Sequence, residues 1–161
     1  MPRPFYRRDL NLEAWNLADA SFEVRTLLGD AAHSMSFAGQ VDSEGRLSSP
    51  VIQAARMPFL ECSRAAGLAS MLEGHHVSRP LPVEVVAVLR EGCFHALEIV
   101  EPSLRFAANV RAGIKAGWPN MHPPSPKTPQ AMRLAKLDGC AAFRDGRPQL
   151  NRKWRNDVVG P

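Results

Sequence analysis

The sequence predicts an all-α protein: a small helical bundle of about five helices, a proline-rich connector and a basic C-terminal extension. Three observations point there. Apolar residues recur at steps of three and four between Pro82 and Val100. Cap-plus-proline pairs, Ser49-Pro50 and Thr128-Pro129, read as helix starts. Five of the 14 prolines crowd into positions 119–129, where no helix can continue.

Taken in order, the first helix is expected from Leu12 to Leu28, with Asn11 as its cap and Gly29 as its stop. Leu12, Trp15, Phe22 and Val24 to Leu28 would form its apolar stripe, which Asp19 and Ser21 interrupt. Gly29 to Ser49 loses the helical period and holds three glycines and several serines, so it reads as a loop with a short hairpin around Asp42-Ser43-Glu44-Gly45. A second helix restarts at Ser49-Pro50, with Val51, Ile52 and Ala55 on one face.

Pro58 kinks that helix or opens a third, which ends at Gly74 and places Phe59, Cys62, Ala66 and Ala69 at helical spacing. Its small residues, Ala65, Ala66, Gly67, Ala69 and Ser70, would let another helix or a second subunit approach closely. The fourth helix, Pro82 to Val100, has Val86, Leu89, Cys93, Leu97 and Val100 on one stripe, widened by Val85, Val88 and Ile99. Pro102 is expected to end or bend it, with a further helix from Leu104 to Gly117. This divides the chain into a bundle domain (1–118), a connector (119–129) and an extension (130–161). The extension would hold a short helix closed by Gly139, a turn at Asp145-Gly146 and an irregular tail. The connector is expected to be extended and polyproline-like.

The net charge of +4 is unevenly spread. Residues 1–110 hold ten Arg against 13 Asp and Glu, or −3; residues 111–161 hold ten Lys and Arg against three Asp, or +7. Arginine, which outnumbers lysine 16 to 4, binds phosphate or carboxylate in a bidentate way. Arg144, Arg147, Arg152, Lys153 and Arg155 surround Phe143 and Trp154, a composition suited to neutralising phosphates and stacking on a base. Arg7 and Arg8, beside Phe5 and Tyr6, repeat it at the start of the chain. The same clusters also suit an acidic protein partner, or the acidic face of the chain's own fourth helix.

That face carries Glu84, Glu91, His95 and Glu98, opposite the apolar stripe. Ligands for a buried metal would point inward, so the cluster reads as solvated and no metal or cofactor is expected. His75-His76 lacks ligand spacing to a cysteine or to His122 and suits the carbonyls at a helix end. The three cysteines, Cys62, Cys93 and Cys140, are odd in number and widely spaced, as in small buried hydrophobes of a cytoplasmic protein. No apolar run is long enough to span a membrane, and the first residues lack the apolar region of a secretory signal. Phosphate-loop, dinucleotide and nucleophile-elbow motifs do not occur.

The expectation is therefore a non-enzymatic binding or assembly module, a subunit or accessory factor of a nucleic-acid-associated complex, which could also self-associate. The alternative is a protein interaction module, adaptor or inhibitor, that never touches nucleic acid. A small helical enzyme built on His75, His76 or His122 ranks third.

Overall fold

Phe22, Val24, Thr26 and Leu28 alternate with Glu23, Arg25 and Leu27, and this period of two sets the architecture. The computed structural model describes residues 5–115. Its first half is a four-stranded antiparallel sheet in the order β1-β2-β3-β4, and not the first two helices of an all-α bundle. The strands are β1 (Asp9–Asn16), β2 (Phe22–Gly29), β3 (Ser34–Val41) and β4 (Leu47–Arg56).

The helix expected from Leu12 to Leu28 is thus a hairpin. β1 pairs with β2 in unbroken register from Asp9↔Gly29 to Asn16↔Phe22. Asp19 and Ala20 turn the chain with φ of 57° and 59°, and the Ser21 amide donates to the Ala18 carbonyl at 3.0 Å. The expected loop from Gly29 to Ser49 contains the whole of β3, where Met35, Phe37 and Val41 are buried and Ser34, Ser36 and Gln40 face the other way, and the start of β4. The hairpin around Asp42 to Gly45 is present, closed by the Gly45 amide on the Asp42 carbonyl at 2.9 Å.

Ser49-Pro50 starts no helix, because it lies inside β4. The register shifts between Ala38 and Gln40, Ser49 adopts φ 50°, and the freed Ser49 amide donates to Glu73 Oε2 at 3.0 Å. A bulge of this kind is where a strand accommodates proline. Gly39 lies opposite it, and a Cβ there would come within 2.7 Å of Leu47 Cδ1.

From Pro58 to Gly74 the chain is helical but broken. A 3₁₀ turn (Leu60–Arg64), the single turn α1 (Ala65–Leu68) and a second 3₁₀ turn (Ala69–Leu72) bury Ala65, Ala69 and Leu72, while Phe59 is exposed. The Gly74 amide donates to the Leu47 carbonyl at 2.8 Å and the Leu47 amide to the His75 carbonyl at 2.9 Å, so this segment occupies the start of the outer edge of β4.

The expected fourth helix is two. α2 (Val83–Gly92) stops where Cys93 becomes extended, and α3 (Phe94–Lys115) continues past Pro102, which does not end it. Buried Ile99, Val100, Ser103, Leu104 and Ala107 hold the turns on both sides of that proline, and tertiary packing outweighs its local cost. The core lies on one face of the sheet, where Phe22, Val24, Phe37, Val41, Leu47 and Ile52 are buried along with Leu72, Leu89 and Ile99. Each such side chain contributes about 1.5–3 kcal/mol. By its internal contacts the chain divides after Ala108. Among the described residues, no helix is long and apolar enough to cross a membrane.

Candidate functional site

The turn between β2 and β3 is built on one acid. Asp30 and His33 flank the two-residue loop Ala31-Ala32, with the Asp30 amide donating to the His33 carbonyl at 2.9 Å. The Asp30 carboxylate folds back over its own turn. Oδ1 accepts the amides of Ala32 at 2.8 Å and His33 at 2.7 Å, and His33 Nδ1–H at 3.0 Å. Oδ2 accepts the Tyr6 hydroxyl at 2.8 Å and Arg8 Nε at 3.0 Å, with Arg8 Nη2 at 2.9 Å. Arg56, at the end of β4, donates Nη2 to the carbonyls of Asp30 and His33.

Burial of the Asp30 side chain would raise its proton affinity, but the donors from Tyr6, the His33 and Ala32 amides and the His33 ring outweigh it. Its pKa is held far below the usual carboxylate range.

Arg8 carries the cluster onto α3. Its Nη1 donates to both carboxylate oxygens of Glu98, at 2.9 and 2.8 Å, and its Nη2 donates to His95 Nε2 at 3.3 Å. A guanidinium can only donate, so this nitrogen of His95 carries no proton. The His95 ring lies 3.8 Å from that of His33, tilted by 34°. Burial, followed by the neighbouring His33, pushes the His95 pKa down, and Arg8 adds to this; Glu98 and Asp30 oppose it. Chemically this is a closed network: each strong acceptor of Asp30 and Glu98 meets a donor of the same chain. It fastens residues 6–8, immediately before β1, to the β2–β3 turn and to α3.

With its start held by Arg8 and its end by the Asp19-Ala20 turn, β1 has its substantial packing with β2. Two hydrogen bonds fix the phase of its backbone. Leu17 N–H donates to Ser21 O at 3.0 Å, so odd residues of β1 bond to β2; Asp30 N–H donates to His33 O at 2.9 Å, so even residues of β2 bond to β3. The N–H and C=O groups of Leu10, Leu12, Ala14 and Asn16 therefore point out of the sheet. Among the described residues, no strand pairs with this edge. Leu10 is 40% exposed and Trp15 55%, Ala14 is exposed and Leu12 half-buried.

Of the residues singled out by sequence, Arg8 sits in the Asp30 network and Arg7 is exposed, with Nε 2.9 Å from Asp9 Oδ1. Arg144, Arg147, Arg152, Lys153, Trp154 and Arg155 lie outside the described residues, as do Trp118, His122, the connector and the extension. His75 donates its amide to the Leu72 carbonyl at 3.0 Å, at the end of a 3₁₀ turn, and its ring nitrogen lies 3.2 Å from the Arg79 carbonyl. Glu91 is separated from His95 and Glu98 by the break at Cys93, so the acidic face spans two helices. Among the described residues, no group of three His, Cys, Asp or Glu is placed to hold a metal.

Sequence reasoning passed over Asp30, His33 and Arg56, and took Tyr6 only as an aromatic beside Arg7 and Arg8. The available signal was Asp-Ala-Ala-His between two alternating runs, a short turn opened by a residue that bonds its own backbone. Compared with known protein families, curated proteins and solved structures, the chain finds no match.

Proposed function

We propose that the chain is a non-enzymatic binding and assembly module that takes an extended segment of a partner protein onto the outer edge of β1. The observation that supports this reading is the row of outward backbone groups at Leu10, Leu12, Ala14 and Asn16, unpaired among the described residues, on a strand anchored at both ends. An extended segment added there gains main-chain hydrogen bonds for affinity, while Leu10, Leu12 and Trp15 supply side-chain selectivity. β1 carries neither lysine nor proline, two common means of protecting an edge. The proposed compartment is the cytoplasm, for which the free thiols of Cys62 and Cys93 are the support.

A complex purified with the full chain should survive nuclease and protect the amides of Leu10, Leu12 and Ala14 from exchange. Ala14→Pro removes an edge donor without touching the β1–β2 bonds, and should release the partner. Retention of the partner by Ala14→Pro, with those amides unprotected, would sink the reading.

A second reading rests on the charge of +7 over residues 111–161. Here Arg144, Arg147, Arg152, Lys153 and Arg155 contact the phosphates of a nucleic acid and Trp154 stacks on a base. Arg152→Ala with Arg155→Ala should then weaken binding of labelled DNA or RNA and flatten its salt dependence, the logarithmic slope falling by about 2. An unchanged slope counts against it.

A further inference from the structure

We infer that the strand received by β1 is β1 of a second copy, paired antiparallel about a two-fold axis through Leu12. This rests on the edge-binding reading above and names its partner.

The outward groups of β1 belong to even residues, so a symmetric antiparallel partner must pair even with even and odd with odd. With Leu12 on Leu12 of the second copy, Leu10 meets Ala14 in the hydrogen-bonding pairs. About six main-chain hydrogen bonds form through these three residues. On the other face, Asn11 stands opposite Glu13 of the second copy, and Trp15 opposite Asp9. Both are favourable. Asn11 Nδ2 already donates to Glu13 Oε1 of its own strand at 3.0 Å, so donor and acceptor lie on one face and the symmetric partner offers the same pair reversed. The indole N–H of Trp15 faces an acid whose charge Arg7 offsets at 2.9 Å.

Charge selects this register. A shift that centres the axis on Glu13 puts Glu13 on Glu13 of the second copy. Centring it on Asn11 puts Asp9 on Glu13. Like charges directly opposed across strands are destabilising. Only the Leu12 register keeps every acid away from another acid while retaining the length of the strand. The pairing merges two sheets into one of eight strands, with Leu10, Leu12 and Ala14 of both copies side by side on the helix-bearing face.

Sedimentation equilibrium on the full chain, over a wide concentration range, reads the association. The expected result is a monomer–dimer equilibrium in which Asn11→Glu raises Kd about tenfold and Asn11→Lys lowers it, since each change acts twice against Glu13. Asn11 is exposed, so neither change threatens the fold. Ala14→Pro should abolish the dimer. In a mixture of isotope-labelled and unlabelled chains, Leu10 and Ala14 should show a contact between copies. A dimer lacking that contact and indifferent to both Asn11 variants overturns the inference. So does a monomer at every concentration, and amide exchange then separates the two ideas. Fast exchange at Leu10, Leu12 and Ala14 leaves the edge open for another protein; slow exchange in the monomer means the chain covers its own edge, and both readings fall.

Discussion

Arg8 and Glu98 face one another across 90 positions of sequence, with one guanidinium nitrogen donating to both oxygens of the carboxylate at 2.9 and 2.8 Å. The contact joins the residue just before β1 to α3, and it shares its arginine with Asp30. Side chains of Arg8 and Glu98 are about one third exposed, at 31% and 29%, so water weakens their attraction. Arg8→Ala should therefore cost about 1 kcal/mol in urea unfolding, and less at high salt. Its sharper effect is local: amide exchange at the start of β1 should quicken while β3 is unchanged. Equal acceleration in both strands would mean that Arg8 supports the whole sheet and not the first strand.

Proton uptake should destabilise the fold in two windows. Folding lowers the pKa of His95 below the ordinary 6.5, through burial first and then His33, so below pH 6.5 the unfolded chain binds more protons. Stability is full above that value and declines as pH falls through it. His75, lowered mainly by burial, acts with the same sign. Asp30 is depressed from 3.8, so its share is complete above that pH and drains away on further acidification. His95→Gln keeps an acceptor for Arg8 and removes the titration. Urea midpoints between pH 7 and 5 should fall less in this variant than in the parent, with His75 still contributing to the slope. Parallel curves would remove His95 from the account.

The helical half of the chain was largely legible and the sheet was not, for reasons visible in single residues. Between Val83 and Val100 the buried residues Val85, Leu89, Cys93, Leu97 and Val100 follow helical spacing, and only the extended Cys93 escaped notice. In β1 and β2, Leu12, Trp15 and Phe22 fall on one side of a helix of 3.6 residues per turn and so suggest one, whereas Val24 and Leu28 fall opposite and join Phe22 only on a period of two. Asp19 and Ala20, which decide for the hairpin, lack the glycine that announces such a turn. Ser49-Pro50 imitates a helix start because the bulge gives proline the same freedom from donating. The Asp30 network joins residues 6, 8, 30, 33, 56, 95 and 98, and no local pattern records such an assembly. Only the acidic helix face, read as a surface for the chain's own arginines, anticipated part of it.

Thr26 and Ser103 join the sheet to α3 through a buried bond of 2.5 Å between their hydroxyls. Ser103 also donates to the carbonyl of Ile99. The single Ser103 proton is therefore spent on Ile99, and Thr26 donates to Ser103. This makes the pair asymmetric. Ser103→Ala strands a buried donor on Thr26 and should cost about 1–3 kcal/mol; Thr26→Val leaves only a spare lone pair on Ser103 and should cost about 1 kcal/mol or less. The double variant should be less destabilised than the two single effects combined. Chemical denaturation of all four proteins closes the cycle, and strictly additive losses would show that the bond carries no coupling.

Ala20 occupies the left-handed region at φ 59°, directly after Asp19 at φ 57°. A Cβ in that conformation crowds the following carbonyl and costs about 1–2 kcal/mol, which glycine avoids. Two successive positive φ values are the geometry of the tight turn that favours Asn-Gly. Ala20→Gly should therefore stabilise the protein by about 1 kcal/mol, after allowing for the greater entropy glycine gives the unfolded chain. Asp19→Asn should add a smaller gain, because asparagine tolerates the region well. The two changes should raise the urea midpoint with no change in its slope. They should also slow amide exchange at the β1 end of the hairpin, since this turn holds Asn16 in register with Phe22. A loss of stability in Ala20→Gly would mean that the turn is not left-handed at this residue, and the antiparallel pairing of β1 and β2 would then need another closure.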